Sequence, residues 1–347
     1  MLRLSATLLV ACGSVAALVG AALIFAGPAF PVGHHRHPAA QTAQTGQTGQ
    51  TAQTGQTAAR SAGRDSDRVD QGGDPDGAAV EAIDPGLFYP GACVAFDPTT
   101  PASGDKNETV FLDAGHGGID PGAVGSTESG APVDESAVNL AVELDTAAIL
   151  RAEGYRVVVS RTQDTTVTRL TPADLSDGLL SVQGVVDDIG ARDVCANLAG
   201  ADVLVGIYMD AGAPGNAGSV AGYDADRPFS AANLRLATLL QDDVLGALNA
   251  QGYAIPDGGV MPDTVLGSAL DGAALAYGHL ILLGPAQAGY FTTPSLMPGA
   301  LIEPLFLTDP FEGSIAASAH GQQVIAGAVA QAINQYFGWS APYRPDI

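Results

Sequence analysis

The chain has 347 residues, with 14 Lys and Arg against 37 Asp and Glu, a formal net charge of −23 at pH 7. Holding a phosphate backbone takes clustered Lys and Arg, so this balance excludes a nucleic-acid partner. Most of the acidity sits beyond residue 105, where 9 basic side chains meet 28 acidic ones; it favours solubility and is silent on fold.

From Leu4 to Phe30 no side chain is charged, and Arg3 on one side and His34, His35, Arg36 and His37 on the other bracket the run. A bilayer is crossed by ~20 apolar residues, so residues 1–31 read as a signal anchor, or as a signal peptide if cleaved. Either reading puts the remainder in the cell envelope outside the cytoplasm, joined to the membrane through this segment or secreted after cleavage. Cys12 follows Leu9-Val10-Ala11 as in a lipoprotein site, but the apolar run is short before it and continues after it. Residues 32–87 contain QTAQTGQTGQTAQTGQTAARSAG and then an Asp-, Gly- and Pro-rich stretch to about Gly86. Without large apolar side chains to offset the entropy of ordering, they are expected to form a disordered, low-complexity linker. The folded domain is expected over 106–340, starting between Phe88 and Lys106, the sole lysine. Of the three cysteines, Cys93 and Cys195 remain for the domain; an exported protein permits a bridge between them, and two buried thiols are the alternative.

Within the domain, TVFLD at 109–113 reads as a buried strand, Val138 to Arg151 as a helix, and RVVVS at 156–160 as a strand. A polar, turn-rich stretch follows to about Gly184, a length that suits a lid or specificity loop. Then come a helix near Ala191 to Leu198, a strand at DVLVGIY, a helix from Asn233 to Asn249, strands at LILL and ALIE, and a helix from Gln322 to Phe337. Apolar strands alternating with helices imply an α/β fold, a three-layer sandwich with a mostly parallel sheet covered by helices on both faces.

Ligands of such sheets gather at the carboxyl ends of strands, and there the sequence places His116, Tyr208, Asp210 and Glu303. In LDAGHGG, glycines at 115, 117 and 118 let the chain turn around His116; the imidazole is the commonest metal ligand, while a Gly-rich turn also serves as an anion nest. Glu135, opening the helix at DESAVNL, could point toward His116 or simply complement the helix dipole, as could Asp134. Glu303 stands in an apolar strand, where a carboxylate must be paired, protonated or functional.

Taken in order, LDAGHGGIDPGAVG, DESAVNL, SRTQDT, ARDVCANLAGADVLVGI and MPGALIEPLFLTDP resemble the zinc-dependent N-acetylmuramoyl-L-alanine amidases of the AmiC-like, amidase-3 type, over about Thr109 to Phe337. The resemblance implies a Zn2+ held by His116 and Glu135, with Glu303 as the catalytic base. It implies peptidoglycan as substrate, cut at the amide between the lactyl group of muramic acid and L-Ala, and leaves any activator protein unidentified. The third ligand of the family is a His in a motif of the form S-I-H-A-N, and here Gly206-Ile207-Tyr208-Met209-Asp210 stands in its place. A tyrosinate must lose a proton whose usual pKa is about 10; Asp210 is the chemically better donor. His279 and His320 lie at no ligand position of the family and read as structural. Two functions therefore stand side by side, an active amidase with an altered zinc site and an inactive relative that binds peptidoglycan or regulates a cell-wall hydrolase. A zinc peptidase acting on stem peptides draws on the same residues. The sequon Asn107-Glu108-Thr109 suggests no function.

Overall fold

The computed structural model describes residues 80–99, 104–266 and 272–338. The expected membrane segment and most of the expected linker lie outside the described residues. The described residues contain twelve strands: β1 (Val80–Ala82), β2 (Ala92–Phe96), β3 (Thr109–Ala114), β4 (Val124–Ser126), β5 (Pro132–Asp134), β6 (Arg156–Arg161), β7 (Leu175–Ser176), β8 (Leu179–Leu180), β9 (Val203–Ile207), β10 (Ser219–Tyr223), β11 (Asp257–Pro262) and β12 (Gly299–Glu303). The helices are α1 (Glu135–Ala152), α2 (Val182–Ala199), α3 (Ser230–Ala250), α4 (Gly272–Tyr277), α5 (Pro310–Ala316) and α6 (Ala319–Tyr336).

Eight strands form one sheet in the order β1-β2-β6-β3-β9-β12-β10-β11. Its centre, β6-β3-β9-β12, is parallel throughout. These strands are Val-, Leu- and Ile-rich and buried from end to end because both faces are covered. Side chains alternate between the faces. Val110, Leu112, Val157, Val159, Val205, Ile207 and Ile302 pack with the apolar sides of α1, α3 and α6, whereas Phe111, Val158, Leu204 and Leu301 pack with Cys195 and Ala196 of α2. The helix–sheet–helix layering matches the fold expected from the sequence.

Helix α2 starts at Ser181, whose hydroxyl accepts from the Gly184 amide at 3.0 Å, and stops at Gly200, which takes the left-handed conformation at φ 64°. Cys195 on this helix is bonded to Cys93 on β2, closing a sequence separation of 102. The bridge thus replaces the two-thiol alternative, and in the chain-entropy picture a loop of ~100 residues adds ~4.7 kcal/mol.

Two expectations are corrected, and two strands have no counterpart in the sequence reading. Residues 80–87 were assigned to the linker, but β1 pairs antiparallel with β2, and β2 with β6, so the folded unit reaches back to Val80. The LILL run is not a strand: the Leu283 and Gly284 amides both donate to the Leu280 carbonyl, at 3.1 and 2.8 Å, closing a buried turn between Gly278 and Gly284. An apolar run reports burial and does not choose between strand and turn. The sheet is completed instead by β10 and β11, which contain Gly222, Gly258 and Gly259 and carry little strand signal.

Candidate active site

Strand β3 delivers the chain into the 115–122 loop at the carboxyl edge of the parallel strands. His116 sits there at φ 62°, the left-handed region that a non-glycine residue occupies only when its surroundings hold it. Two buried arginines do the holding. Arg161 donates from Nε to the Ala114 carbonyl and from Nη2 to that of Gly115, both at 3.2 Å. Arg192 donates to the carbonyls of Ala114 (2.7 Å) and His116 (2.9 Å), and is itself fixed by Asp113 at 2.6 Å and Asp188 at 2.8 Å.

The His116 ring is shared between two carboxylates. Nδ1 lies 2.8 Å from Asp120 Oδ2 and Nε2 lies 3.3 Å from Glu135 Oε2. Burial alone would lower the imidazole pKa, but Glu135 and Asp120 hold it well above its ordinary value. Asp120 answers in kind: against the upward pull of burial, His116 and the Gly122 amide keep its carboxyl at about 2.

Glu135, the first residue of α1, is 3% exposed. Its Oε2 accepts from the Ala123 amide at 2.7 Å, and its Oε1 accepts from the Met209 amide at 3.0 Å and Asn139 Nδ2 at 3.2 Å. These donors and His116 outweigh desolvation and keep the carboxyl below its ordinary value. A helix-dipole role would leave the carboxylate in solvent; here it is a fixed, buried anion facing an imidazole. Gly122 makes room for it, since a Cβ at that position would lie 2.5 Å from Glu135 Oε2 and 2.7 Å from the His116 ring.

Tyr208 extends β9 beside His116, with ring centroids 5.6 Å apart, but its hydroxyl donates to Asp113 Oδ2 at 3.0 Å. Burial and the Asp113 carboxylate push its pKa well above the usual 10. The phenol is therefore committed to the Asp113–Arg192 network. Asp210, 3% exposed, accepts from the Ala211 amide at 2.6 Å, and its charge acts on Glu303. Glu303, 2% exposed, ends β12 with its Oε2 accepting no hydrogen bond, and burial, Asp210 and Glu135 raise its pKa well above the ordinary range.

The residues fit a zinc ion in part. Nitrogen and oxygen donors ~2.0–2.2 Å from one tetrahedral centre lie ~3.3 Å apart, the spacing of His116 Nε2 and Glu135 Oε2. Asp120 on Nδ1 sets the ring as a second carboxylate commonly does for a ligating histidine. Tyr208 does not complete the set.

Sequence reasoning thus placed His116, Glu135, Tyr208, Asp210 and Glu303 at one edge. It passed over Asp120, which lies four residues after His116 inside the same Gly-rich motif, and the two arginines of SRTQDT and ARDVC that hold the loop. His320 is exposed, 3.3 Å from Gln251 Oε1. His279 lies at the far end of the sheet.

An α/β sheet with a His, a buried anion and a Glu of raised pKa at its carboxyl edge carries groups suited to hydrolysis. A family model described as N-acetylmuramoyl-L-alanine amidase matches residues 110–335, and the chain belongs to that family. Its activity is that of an amidase of peptidoglycan. Relatives include the N-acetylmuramoyl-L-alanine amidase AmiA of Salmonella typhimurium, 28% identical over 70% of this chain and 80% of its own length. The amidase AmiC of Neisseria meningitidis is 26% identical over 71% of this chain, which spans 58% of the relative's length. The CwlD amidase of Clostridioides difficile, solved in complex with the GerS lipoprotein, shares the fold at a TM-score of 0.50 and 22% identity, over 67% of this chain and 98% of that one.

Proposed function

We propose that this amidase is a zinc hydrolase in which His116 and Glu135 hold the metal, Asp210 supplies the third donor in place of Tyr208, and Glu303 is the general base. When bound, zinc supplies Lewis-acid polarisation of the scissile carbonyl and acidifies a water. The observation that carries this reading is the pairing of His116 Nε2 with a Glu135 carboxylate that three N–H groups keep anionic.

The chain's own residues divide the work. Asp120 holds the proton on His116 Nδ1, so that Nε2, which faces Glu135, is the nitrogen that would give up its proton to serve as a metal donor. The Met209 amide ties the segment bearing Asp210 to Glu135. Glu303 takes a proton from the attacking water and returns it to the departing amine of L-Ala as the C–N bond breaks; a carboxyl raised in pKa suits both transfers. The products are the free lactyl carboxylate and an intact stem peptide with L-Ala at its amino end.

The domain works outside the cytoplasm in this reading, joined to the membrane through residues 1–31. The Cys93–Cys195 bond agrees with an oxidising compartment. Incubating the purified protein with muropeptides, with and without added zinc, tests the assignment. Intact stems beginning with L-Ala are expected, and stems shortened at internal bonds would make the protein a peptidase instead.

A further inference from the structure

Strands β10 and β11 run antiparallel to β12, so their carboxyl ends lie at the opposite pole of the sheet from Glu303. Asp224 follows β10 and Asp263 follows β11 there, as neighbours of the Tyr223–Pro262 pair, ~13 Å of strand from the amidase edge. His279, from the turn before Leu280, places Nδ1 2.9 Å from Asp224 Oδ2 and 3.3 Å from Asp263 Oδ2. Both aspartates are fully buried.

Each carboxylate is half used. Asp224 Oδ1 accepts from the Asp226 and Arg227 amides at 2.7 and 2.9 Å, and Asp263 Oδ2 accepts from the Leu280 amide at 3.0 Å. Asp224 Oδ2, aimed at the imidazole, and Asp263 Oδ1 accept no hydrogen bond, and His279 Nδ1 is aligned for one with neither partner despite the short approach. Two buried carboxylates so close favour a bound positive charge, from the imidazole or from a metal ion. Arg227 directs its guanidinium to the carbonyls of Leu283, Gly284 and Ser295 instead.

We propose that Asp224, Asp263 and His279 form a second divalent-cation site, suited to zinc by its two oxygen donors and one nitrogen donor, that ties β10, β11 and the 279–283 turn together. These three donor groups lie within 4.8 Å of one another, and carboxylate with imidazole is a borderline set that takes zinc or manganese ahead of calcium. The site touches none of the groups that cut the substrate, so its role is structural.

The test uses the full chain with His116→Ala and Glu135→Ala together, which disables the amidase-edge pair and leaves this pole intact. After zinc loading and gel filtration, one equivalent of zinc is expected to remain, and added zinc is expected to raise the melting temperature. Adding His279→Ala, which removes one donor and leaves the amide bonds to both aspartates in place, should abolish both effects in a protein with unchanged circular dichroism. A folded double variant that binds no zinc and shows no thermal shift would overturn the proposal, as would zinc retention unaffected by His279→Ala. In wild-type protein the amidase assay is read separately, so failure at this pole leaves the catalytic reading untouched.

Discussion

The protein has two histidines that each face two buried or half-buried carboxylates, at opposite poles of one sheet. At the amidase edge the ring is split, with Nδ1 on Asp120 and Nε2 toward Glu135, and the backbone is held at a left-handed φ by two arginines. At the far pole a single nitrogen of His279 faces both Asp224 and Asp263, with the amides of neighbouring turns fixing the aspartates. The difference separates a site built to expose a donor from one built to fasten chain segments. A left-handed backbone held by two arginines marks the first; donors drawn together from three separate loops mark the second.

Several substitutions break that comparison from one side. Replacing Glu303 by Gln is expected to lower stem-peptide release by ~10²-fold or more, the usual worth of a general base, while zinc stays bound and the far pole is untouched; turnover assays and metal analysis check both halves. Replacing Cys93 and Cys195 by Ser affects neither cluster directly and is expected to cost ~2–5 kcal/mol of stability, read as a lower urea midpoint with the metal-site chemistry preserved in protein that still folds.

Asp120→Asn removes the anion on His116 Nδ1 while leaving Glu135 in place. It is expected to weaken zinc binding at the amidase edge by ~10–100-fold, measured with a competing chelator. Tyr208→Phe sharpens the choice of third donor. If Asp210 serves, the change deletes only the hydroxyl bond to Asp113 and zinc affinity shifts little, whereas a large loss of zinc would return that role to Tyr208.

The smallest effect concerns pH. Glu143, inside α1, accepts from the Ala114 and Ser160 amides and the Ser160 hydroxyl, and burial raises its pKa to about 8. A carboxyl with a raised folded pKa stabilises fully below its unfolded value near 4.5 and loses that contribution as pH rises toward 8. Urea unfolding of Glu143→Gln between pH 5 and 8 should show a flatter pH dependence than wild type.

The central strands were legible because burial on both faces writes long Val, Leu and Ile runs, and the strand-edge residues His116 and Glu303 stood out as polar groups at the ends of such runs. The motif order even carried the family. What was not legible has physical causes. Strands β10 and β11 contain glycine, and owe their place to β10 pairing with β12 and β11 pairing with β10. The LILL turn shares its composition with a strand. Asp224, Asp263 and His279 come from three separate loops, so no spacing in sequence announces them. Tyr208 was correctly placed beside His116, but its bond to Asp113 depends on a strand 95 residues away.

The most direct measurement is zinc content and product identity on the same preparations of wild type and His116→Ala, with the far-pole site disabled in both by His279→Ala. One zinc per chain carrying His279→Ala alone, lost when His116→Ala is added together with release of intact stems beginning with L-Ala, is the predicted result. Undiminished stem release from a folded, zinc-free His116 variant would contradict a metal-dependent amidase centred on His116 and Glu135.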